Sequence, residues 1–248
     1  MQVSGNTILI TGGATGIGFA LAEAFAKAGN EVIICGRREE RLRESRERMP
    51  ALRTRCCDLG SEAGREELYE WVCGEWPAVN VLVNNAGIQR AIDLTAGVDG
   101  LRCQDDEIEI NLRCPIYLAA RFIPRLRERA EAAIVNVSSG LGFVPLADMP
   151  VYCSTKAALH SFSVSLRHQL RATSIRVFEI IPPIVDTELD QGRRTAAGRE
   201  RGMAPAEVAR ATLEAWAADE FELAVGMAAR LRQGSRENPE GTFAGMNR

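Results

Sequence analysis

The stretch Thr7–Gly18, TILITGGATGIG, decides the fold class of this chain. Its apolar start is typical of a buried strand, and Gly12, Gly16 and Gly18 then form a turn before an apolar helical pattern. Glycines there let the backbone bend tightly and let a diphosphate approach the N–H groups of a helix N-terminus. The alternative is a tight strand-to-helix turn with no ligand. The position of the turn, between an N-terminal strand and an apolar helix, favours dinucleotide binding.

Strand-like and helix-like segments alternate through the rest of the chain. Short apolar runs separated by longer amphipathic patterns predict a parallel sheet with helices on both faces. We therefore predict an α/β fold with a doubly wound parallel sheet of the Rossmann type, forming a single domain over residues 1–248. Helices are expected over about 103–129 and 151–171, and the tail 233–248 is expected to be loosely ordered. The strand candidates are TILI, EVIICG, LRTRCCD, VNVLVNNAG, AAIVNVSS, IRVFEII and ELAVG.

The composition is that of a globular chain and argues against several function classes. Of 248 residues, 46% are hydrophobic and 25% are charged, the net charge is −3, and no basic block suggests a nucleic-acid partner. Seven cysteines without a CxxC pair, and only two histidines, argue against a disulfide framework and against a metal site. Because neither a signal peptide nor an apolar run of membrane-spanning length is visible, we expect a cytoplasmic protein with no membrane partner.

Arg37 is the residue that indicates which dinucleotide binds. Dinucleotide folds usually place an acidic residue about 20 positions after the glycine turn, where it binds the ribose hydroxyls. Here Arg37 stands close to that position, at the end of the second predicted strand, and no acid does. A guanidinium suits a 2′-phosphate, so NADP(H) is favoured over NAD(H). The alternative is that Arg37 and Arg38 only cap a charged, solvated helix.

Several motifs in a characteristic order give the chain a resemblance to a known family. They resemble the short-chain dehydrogenase/reductase family, in its single-domain branch, over roughly residues 7–226. The stretches GRREERL and YCSTKAALHSFSVSLRHQL are also similar to a bacterial subgroup often found near genes for D-alanylation of teichoic acids, which says little about substrate. The motifs are TGGATGIG from Thr11, NNAG from Asn84, Asn111 in a predicted helix, NVSSG from Asn136, Tyr152 with Lys156, and IPPIVDT from Ile181.

The resemblance implies a catalytic tetrad. Tyr152 is similar to the general acid of reduction, which is the base of oxidation, and Lys156 to its electrostatic partner, which also holds the nicotinamide ribose. Ser139 lies 13 residues before Tyr152 and resembles the serine that hydrogen-bonds the substrate oxygen. Asn111 resembles the residue that keeps a water in a proton relay to Lys156.

The residue types by themselves suit the same chemistry. Hydride transfer to a carbonyl leaves an alkoxide that needs a proton, and a tyrosine and a lysine four residues apart share one helix face. A neighbouring ammonium favours a phenolate, and a serine hydroxyl can donate to an oxyanion. The alternatives are a solvated helix edge for Tyr152 and Lys156, a strand-end turn for Ser139, and a local irregularity near Pro115 for Asn111. The joint occurrence of these four residues at the spacings of the family favours the catalytic interpretation.

The resemblance also implies a set of cofactor contacts. Asp58 and Leu59 resemble the adenine contact, Asn84 and Ala86 the adenosine-ribose contact, and the segment after Pro182 the nicotinamide-amide contact. The family usually has Pro-Gly where this chain has Pro182-Pro183, and the second proline should stiffen that edge because it fixes φ and lacks an N–H. The predicted cofactor residues are Gly12, Thr15, Gly16, Ile17, Gly18, Arg37, Asp58, Leu59, Asn84, Ala86, Tyr152, Lys156, Pro182, Val185 and Thr187.

The substrate side of the site is predicted to be mainly apolar. Gln89 and Arg90 could add a polar edge, although Arg90 as a solvated residue is the simpler interpretation. The segment at about 186–204 is expected to be a substrate loop that closes as a lid. Its four arginines, Arg193, Arg194, Arg199 and Arg201, could attract an acidic substrate or only form a solvated face. The apolar candidates are Leu141, Phe143, Val144, Leu146 and Met149.

These observations together predict an NADP(H)-dependent oxidoreductase that interconverts a ketone or aldehyde and an alcohol, with Tyr152 as acid and base. The partner is then a small-molecule carbonyl or alcohol substrate, and the resemblance implies a homodimer or homotetramer. The alternative is a non-catalytic NADP(H)-sensing regulatory or scaffold protein on the same fold, which would have no need for Tyr152 or Ser139. An epimerase or dehydratase of this fold usually carries a longer C-terminal substrate domain.

Overall fold

Seven parallel strands form one sheet in the computed structural model, which describes residues 1–101, 106–190 and 202–248. The spatial order of the strands is β3-β2-β1-β4-β5-β6-β7. The sheet thus extends from β1 in one direction through β2 and β3 and in the other through β4, as a doubly wound fold requires. The strands are β1 Thr7–Thr11, β2 Glu31–Gly36, β3 Arg53–Cys56, β4 Val81–Asn84, β5 Ala132–Val137, β6 Ile175–Ile181 and β7 Glu222–Ala224.

Helices cover both faces of the sheet, and this is why the central strands are mainly apolar and buried along their whole length. All residues of β1, β4 and β5 are buried. The α-helices are α1 Gly16–Lys27, α2 Glu39–Arg48, α3 Glu62–Glu75, α4 Cys114–Leu126, α5 Pro150–Leu170, α6 Pro205–Ala217, α7 Met227–Glu237 and α8 Pro239–Met246. In the described part of the chain, no helix combines the length and the apolar character needed to span a membrane.

The core consists of two apolar layers, one on each face of the sheet. In the layer that contains α1 and α6, Trp216 is fully buried, and its ring lies 5.5 Å from that of Phe25 and 4.9 Å from that of Phe178. Such aromatic contacts fix α1, α6 and β6 relative to one another. The carboxyl ends of the strands are therefore held in a fixed arrangement, which the site requires.

Two expectations about secondary structure need correction, and one element was not expected. The tail expected to be loose forms α7 and α8, because Asn238 caps α8 by accepting a hydrogen bond from the N–H of Gly241 and Pro239 occupies its first turn. The helix expected over 103–129 starts at Glu107 in the described residues and includes a π-helical segment, Glu109–Arg113, before α4. A 3₁₀ segment, Leu94–Leu101, was not predicted. Most of the expected substrate loop, 191–201, lies outside the described residues.

Candidate active site

A cleft of about 790 Å³ runs along the carboxyl ends of the strands. Its walls come mainly from the segments that follow the strands, including those after β7. Arg37 and Asp58 line one end, and Tyr152 and Met246 line the other. Crevices at this edge, where the chain direction through the sheet reverses between β1 and β4, are where open α/β sheets bind ligands. The volume falls in the range of small-molecule and cofactor pockets.

The glycine turn forms the floor of the cleft, and no larger residue fits at Gly12 or Gly18. Gly12 has a φ of +62°, and a Cβ on it would lie 2.8 Å from the Cα of Ala86. A Cβ on Gly18 would lie only 2.3 Å from the carbonyl oxygen of Gly12. Thr15 precedes α1 without making a side-chain cap, so the first N–H groups of the helix are available to an anion. The turn therefore has the close-approach geometry of a diphosphate site.

A cluster of basic side chains lies beside the end of the cleft that Arg37 and Asp58 line. Arg38 donates to the Thr15 hydroxyl at 3.2 Å and to Glu188 at 2.8 Å. Arg41 donates to the other carboxylate oxygen of Glu188 at 2.7 Å. Arg37, the residue that the sequence predicted here, lines the cleft together with Arg38. The structure thus adds two arginines to this end and places an acidic side chain between them.

Tyr152 and Lys156 lie side by side on the face of α5 that is turned toward the sheet. Both are buried, with exposed fractions of 5% and 4%. The Lys156 Nζ donates to the Val137 carbonyl at 2.9 Å and lies 5.7 Å from the centre of the Tyr152 ring. Burial lowers the pKa of Lys156 to about 8, although the negative charge of Glu179 acts in the opposite direction. The pair is therefore in the cleft wall and not at a solvated helix edge.

Ser139 completes this end of the cleft from the end of β5. Its Oγ accepts a hydrogen bond from the Leu141 N–H at 3.1 Å and caps the short 3₁₀ turn Gly140–Gly142. Among the described residues, no acceptor is recorded for the Ser139 hydroxyl proton, so this proton can be donated into the cleft. A hydroxyl donor, a phenol and an ammonium thus converge at one place, as proton transfer to a carbonyl oxygen requires.

Asn111 lies behind this group of side chains, in the π-helical segment before α4. It is fully buried, its Oδ1 accepts from the Ile88 N–H at 2.8 Å, and its Nδ2 donates to the Ile88 carbonyl at 2.8 Å and to Thr155 at 3.3 Å. A Cβ on Gly87 would lie 3.3 Å from the Asn111 Oδ1 and 3.6 Å from the Lys156 Nζ. Asn111 therefore positions the chain at Ile88, next to the lysine.

Asn84 is the one predicted cofactor residue that the structure places away from the cleft. Its side chain is buried and donates to the Asn136 Oδ1 at 2.9 Å, so it joins β4 to β5. Asn85 lines the cleft instead, and its Nδ2 donates to the carbonyls of Thr11 and Gly12. Successive side chains of a strand point to opposite sides, so a shift of one residue exchanges wall for interior. The other predicted cofactor residues all line the cleft.

The apolar end of the cleft differs in part from the predicted walls. Leu141, Leu146 and Met149 line it, together with Gln89. Phe143 and Val144 do not, because Phe143 packs on His160 with the ring centres 4.7 Å apart and Val144 is buried elsewhere. Leu189, in the expected substrate loop, lines it as well. Sequence reasoning missed three apolar lining residues after β7, Met227, Leu231 and Met246. The cap at Asn238 and Pro239 was the available signal for α8.

A buried carboxylate, Glu179, lies close to Ser138 and Lys156. It accepts a hydrogen bond from Ser138 at 2.5 Å and lies 2.8 Å from the His160 Nδ1. The hydrogen bond to Glu179 raises the pKa of His160. Polar atoms of His160, Glu179 and Glu222 lie within 4.8 Å of one another, but Arg167 and Arg232 both pair with Glu222. The arrangement is thus an ion-pair network with its own cations.

The buried ammonium of Lys156 gives the first testable prediction. A pKa of about 8 against an ordinary 10.5 means that the unfolded chain binds more protons between these pH values. The free energy of unfolding therefore rises with pH between about pH 8 and pH 10.5. Below pH 8 the folded chain carries the whole free-energy cost of burying the Lys156 ammonium. Lys156→Met should raise the free energy of unfolding at pH 7 by about 1–2 kcal/mol, because the lost hydrogen bond to Val137 offsets part of the gain.

Chemical denaturation of both proteins at pH 7 and at pH 10 tests this prediction. The stability difference between the variant and the original chain should shrink at pH 10. Lys27→Met, on the exposed surface of α1, is the control and should change stability little at either pH. A less stable Lys156→Met variant at pH 7 would show that the attraction to Glu179 and the hydrogen bond outweigh the burial cost.

The chain is similar to known proteins over its full length. A family model described as short chain dehydrogenase matches residues 6–198. The uncharacterized oxidoreductase DltE of Bacillus subtilis (strain 168) is 48% identical over 248 residues, covering 100% of this chain and 98% of that protein. The NADP-dependent 3-hydroxy acid dehydrogenase YdfG of Escherichia coli (strain K12) is 32% identical over 179 residues, 72% of each protein. The crystal structure of a short chain dehydrogenase from Burkholderia cenocepacia J2315 in complex with NADP aligns with a TM-score of 0.82 at 25% identity, covering 99% of each chain.

Proposed function

We propose, from the premise that this chain belongs to the short-chain dehydrogenase family, that it interconverts a ketone or aldehyde with an alcohol and uses NADP(H) to do so. Membership makes it an oxidoreductase that acts on CH–OH groups with a nicotinamide dinucleotide. The observation that carries the finer proposal is the convergence of Ser139, Tyr152 and Lys156 at one end of a cleft whose other end is basic.

The residues of the cleft fit a dinucleotide. The turn at Gly12 and Gly18 leaves no room for a Cβ, so its backbone is bare toward the cleft and can approach a diphosphate. Asp58 and Leu59 line the adenosine end, and Pro182 and Thr187 line the segment nearer to Tyr152. These residues would hold the two ends of the cofactor. A bound nicotinamide supplies the hydride for reduction and accepts it in oxidation.

The protein contributes the proton chemistry. In reduction, Tyr152 donates its hydroxyl proton to the substrate oxygen while the Ser139 hydroxyl donates a hydrogen bond to the same atom. The ammonium of Lys156 stabilises the phenolate that remains on Tyr152. Asn111 holds Ile88 and Thr155 in place and so keeps the wall beside Lys156 rigid. In oxidation the same groups act in reverse, with the phenolate as the base.

A preference for NADP(H) is supported by the basic cluster at the adenosine end. Arg37 and Arg38 line the cleft, and Arg41 reaches the same carboxylate as Arg38. Glu188 binds Arg38 and Arg41 through its two anionic oxygens, and the oxygens of a 2′-phosphate can accept hydrogen bonds from guanidiniums in the same way. We expect the phosphate of NADP(H) to replace Glu188 on Arg38, whereas NAD(H) has no group that can do so.

Calorimetric titration with NADPH and with NADH tests the cofactor preference. NADPH should bind about tenfold to a hundredfold more tightly, because hydrogen bonds between charged groups contribute about 1.5–3 kcal/mol. Arg38→Gln should remove most of this difference and leave NADH binding unchanged, and Arg37→Gln measured beside it separates the two arginines. Equal affinity for the two cofactors in the original chain would contradict the assignment.

Removing the competing carboxylate gives a further prediction of opposite sign. Glu188→Gln should tighten NADPH binding about threefold to tenfold, since two exposed ion pairs of up to about 1 kcal/mol each no longer oppose it. Binding of NADH should not change. The control is Glu240→Gln, a substitution on α8 away from the basic cluster. Weaker NADPH binding by Glu188→Gln would instead make Glu188 part of the cofactor site.

We also propose a homo-oligomer in the cytoplasm. Ile116 on α4 and Val164 on α5 expose apolar side chains to solvent, which supports pairing of these helices with those of a second copy. The six cysteines in the described part of the chain are free thiols, as is usual in a reducing compartment. Sedimentation equilibrium of the purified chain, with Val164→Asp as the comparison, measures the oligomeric state.

A further inference from the structure

The C-terminal helix α8 folds back onto the substrate end of the cleft. It follows α7 directly after Asn238 and packs so closely that a Cβ on Gly234 would lie 2.7 Å from the Thr242 Oγ. This approach turns the last residues of the chain back toward the segment that precedes α5. The chain terminus therefore forms part of the site.

Asn247 anchors this terminus with both ends of its side-chain amide. Its Oδ1 accepts from the Ala147 N–H at 2.6 Å, and its Nδ2 donates to the Pro145 carbonyl at 3.1 Å and to the Phe243 carbonyl at 2.9 Å. One side chain thus joins α8 to the loop at 145–147, which leads into Met149 and Tyr152. A side-chain amide that both accepts and donates hydrogen bonds fixes the orientation of the two segments as well as the distance between them.

Met246, the residue before this anchor, belongs to the apolar surroundings of the catalytic tyrosine. It packs against the cluster formed by Leu141, Tyr152 and Cys153 and lines the cleft. Leu146, Met149 and Leu189 pack on the same cluster. The two methionines give this wall an adaptable apolar surface, since an unbranched thioether changes shape easily.

Charge is distributed unevenly along the cleft. Of the cationic residues that line it in the described part of the chain, Arg37 and Arg38 lie at the adenosine end, and Lys156 donates to Val137. Gln89 is the polar neutral side chain near Met149, and its Nε2 contacts the Met149 sulfur. Around Met246 the described side chains are apolar, so a substrate carboxylate that contacts Met246 would lose its hydration without a partner among them, which is unfavourable.

We infer that the substrate is a carbonyl compound whose side group is uncharged and apolar, and that Met246, fixed by Asn247, forms the far wall that determines how long this group can be. The inference rests on the proposed oxidoreductase function. It separates this chain from YdfG, whose name describes a 3-hydroxy acid dehydrogenase. Met246 and Asn247 are specificity-determining and positioning residues, respectively, and neither takes part in proton transfer.

Reduction of two matched compounds by NADPH tests the charge of the side group. Methyl acetoacetate and acetoacetate carry the same reacting ketone and differ in whether the far end is a neutral ester or a carboxylate. We expect kcat/KM to be at least tenfold higher for the ester. Met246→Lys should reverse part of this difference, because an ammonium at that wall would pair with the carboxylate. A preference of the original chain for acetoacetate would overturn the inference.

A series of straight-chain 2-ketones from 2-butanone to 2-nonanone tests the wall itself. Met246→Trp should move the best substrate to a shorter ketone, and Met246→Ala should move it to a longer one. Asn247→Ala should raise KM for the longest ketones more than for 2-butanone, because the wall is no longer fixed. Phe243→Ala, an exposed residue of the same helix, is the matched control. An unchanged length profile in both Met246 variants would contradict the assignment of the wall.

Binding without turnover separates this inference from the proposed function. The Tyr152→Phe variant, with NADP⁺ present, is titrated calorimetrically with the same ester and with the same acid. Because this variant does not react, the two affinities report the side-group preference alone. Preferential binding of the ester there, together with no turnover by the original chain, would support the apolar wall and contradict the oxidoreductase proposal. Preferential binding of the acid would overturn the wall whatever the activity.

Discussion

Tyr152→Phe is expected to lower kcat roughly a thousandfold and to leave the Kd for NADPH nearly unchanged. The phenol oxygen is the group that we assign to proton transfer, and phenylalanine removes only this atom. The ring of Tyr152 packs with Leu141 and Cys153 in an apolar cluster, and phenylalanine retains that packing. The loss should therefore appear in turnover and not in folding or cofactor binding.

Steady-state reduction of methyl acetoacetate and calorimetric titration with NADPH measure the two quantities separately. Tyr69→Phe is the matched control, since Tyr69 packs on Phe122 in the core and lies outside the cleft. It should keep full activity. A Tyr152→Phe variant with more than a tenth of the original kcat would exclude Tyr152 as the acid. An original chain that binds NADPH and reduces no carbonyl would favour a sensing or scaffold protein.

Gly18→Ala is expected to have the second large effect, a loss of about 2–3 kcal/mol of stability together with at least tenfold weaker NADPH binding. The added methyl would lie 2.3 Å from the Gly12 carbonyl oxygen and 2.4 Å from the Asn85 Nδ2. The oxygen belongs to the backbone of the glycine turn and cannot move aside as a flexible side chain would. The turn must shift, and the N–H groups that face the diphosphate shift with it.

Thermal unfolding with and without NADPH measures both consequences of Gly18→Ala. Gly74→Ala is the control, because a Cβ at Gly74 in α3 meets no atom within 4 Å. That substitution should stabilise the chain by about 0.5–1 kcal/mol, since alanine is the better helix former. If Gly18→Ala bound NADPH with unchanged affinity, the glycine turn would not be the diphosphate site.

Local patterns were enough to predict most elements, whereas details that depend on distant partners were missed. The apolar strands and amphipathic helices lie close to where the sequence placed them, because burial on both faces of a parallel sheet selects the residues directly. The tail was predicted to be loosely ordered. Besides the local cap at Asn238, it is held by contacts with loop 145–147, about 100 residues away, through Asn247.

The candidate site shows the same division. Tyr152 and Lys156 could be predicted because four residues on a helix define a shared face. That Asn85 lines the cleft and Asn84 does not could not be predicted, since the direction of a side chain at a strand end depends on where the strand stops. Glu188 bridges Arg38 and Arg41 from a segment about 150 positions later, and no local pattern announces such a contact.

The strands, the helices, the glycine turn and the tyrosine–lysine pair could be predicted from the sequence alone, because each depends on residues close together in the chain. Tertiary structure alone decided which side chains share a cavity. It buried Lys156 beside Val137, turned Phe143 away toward His160, and brought Met246 to Tyr152. These contacts join elements far apart in the chain, and their energies depend on packing and desolvation that exist only once the sheet and both helical layers have assembled.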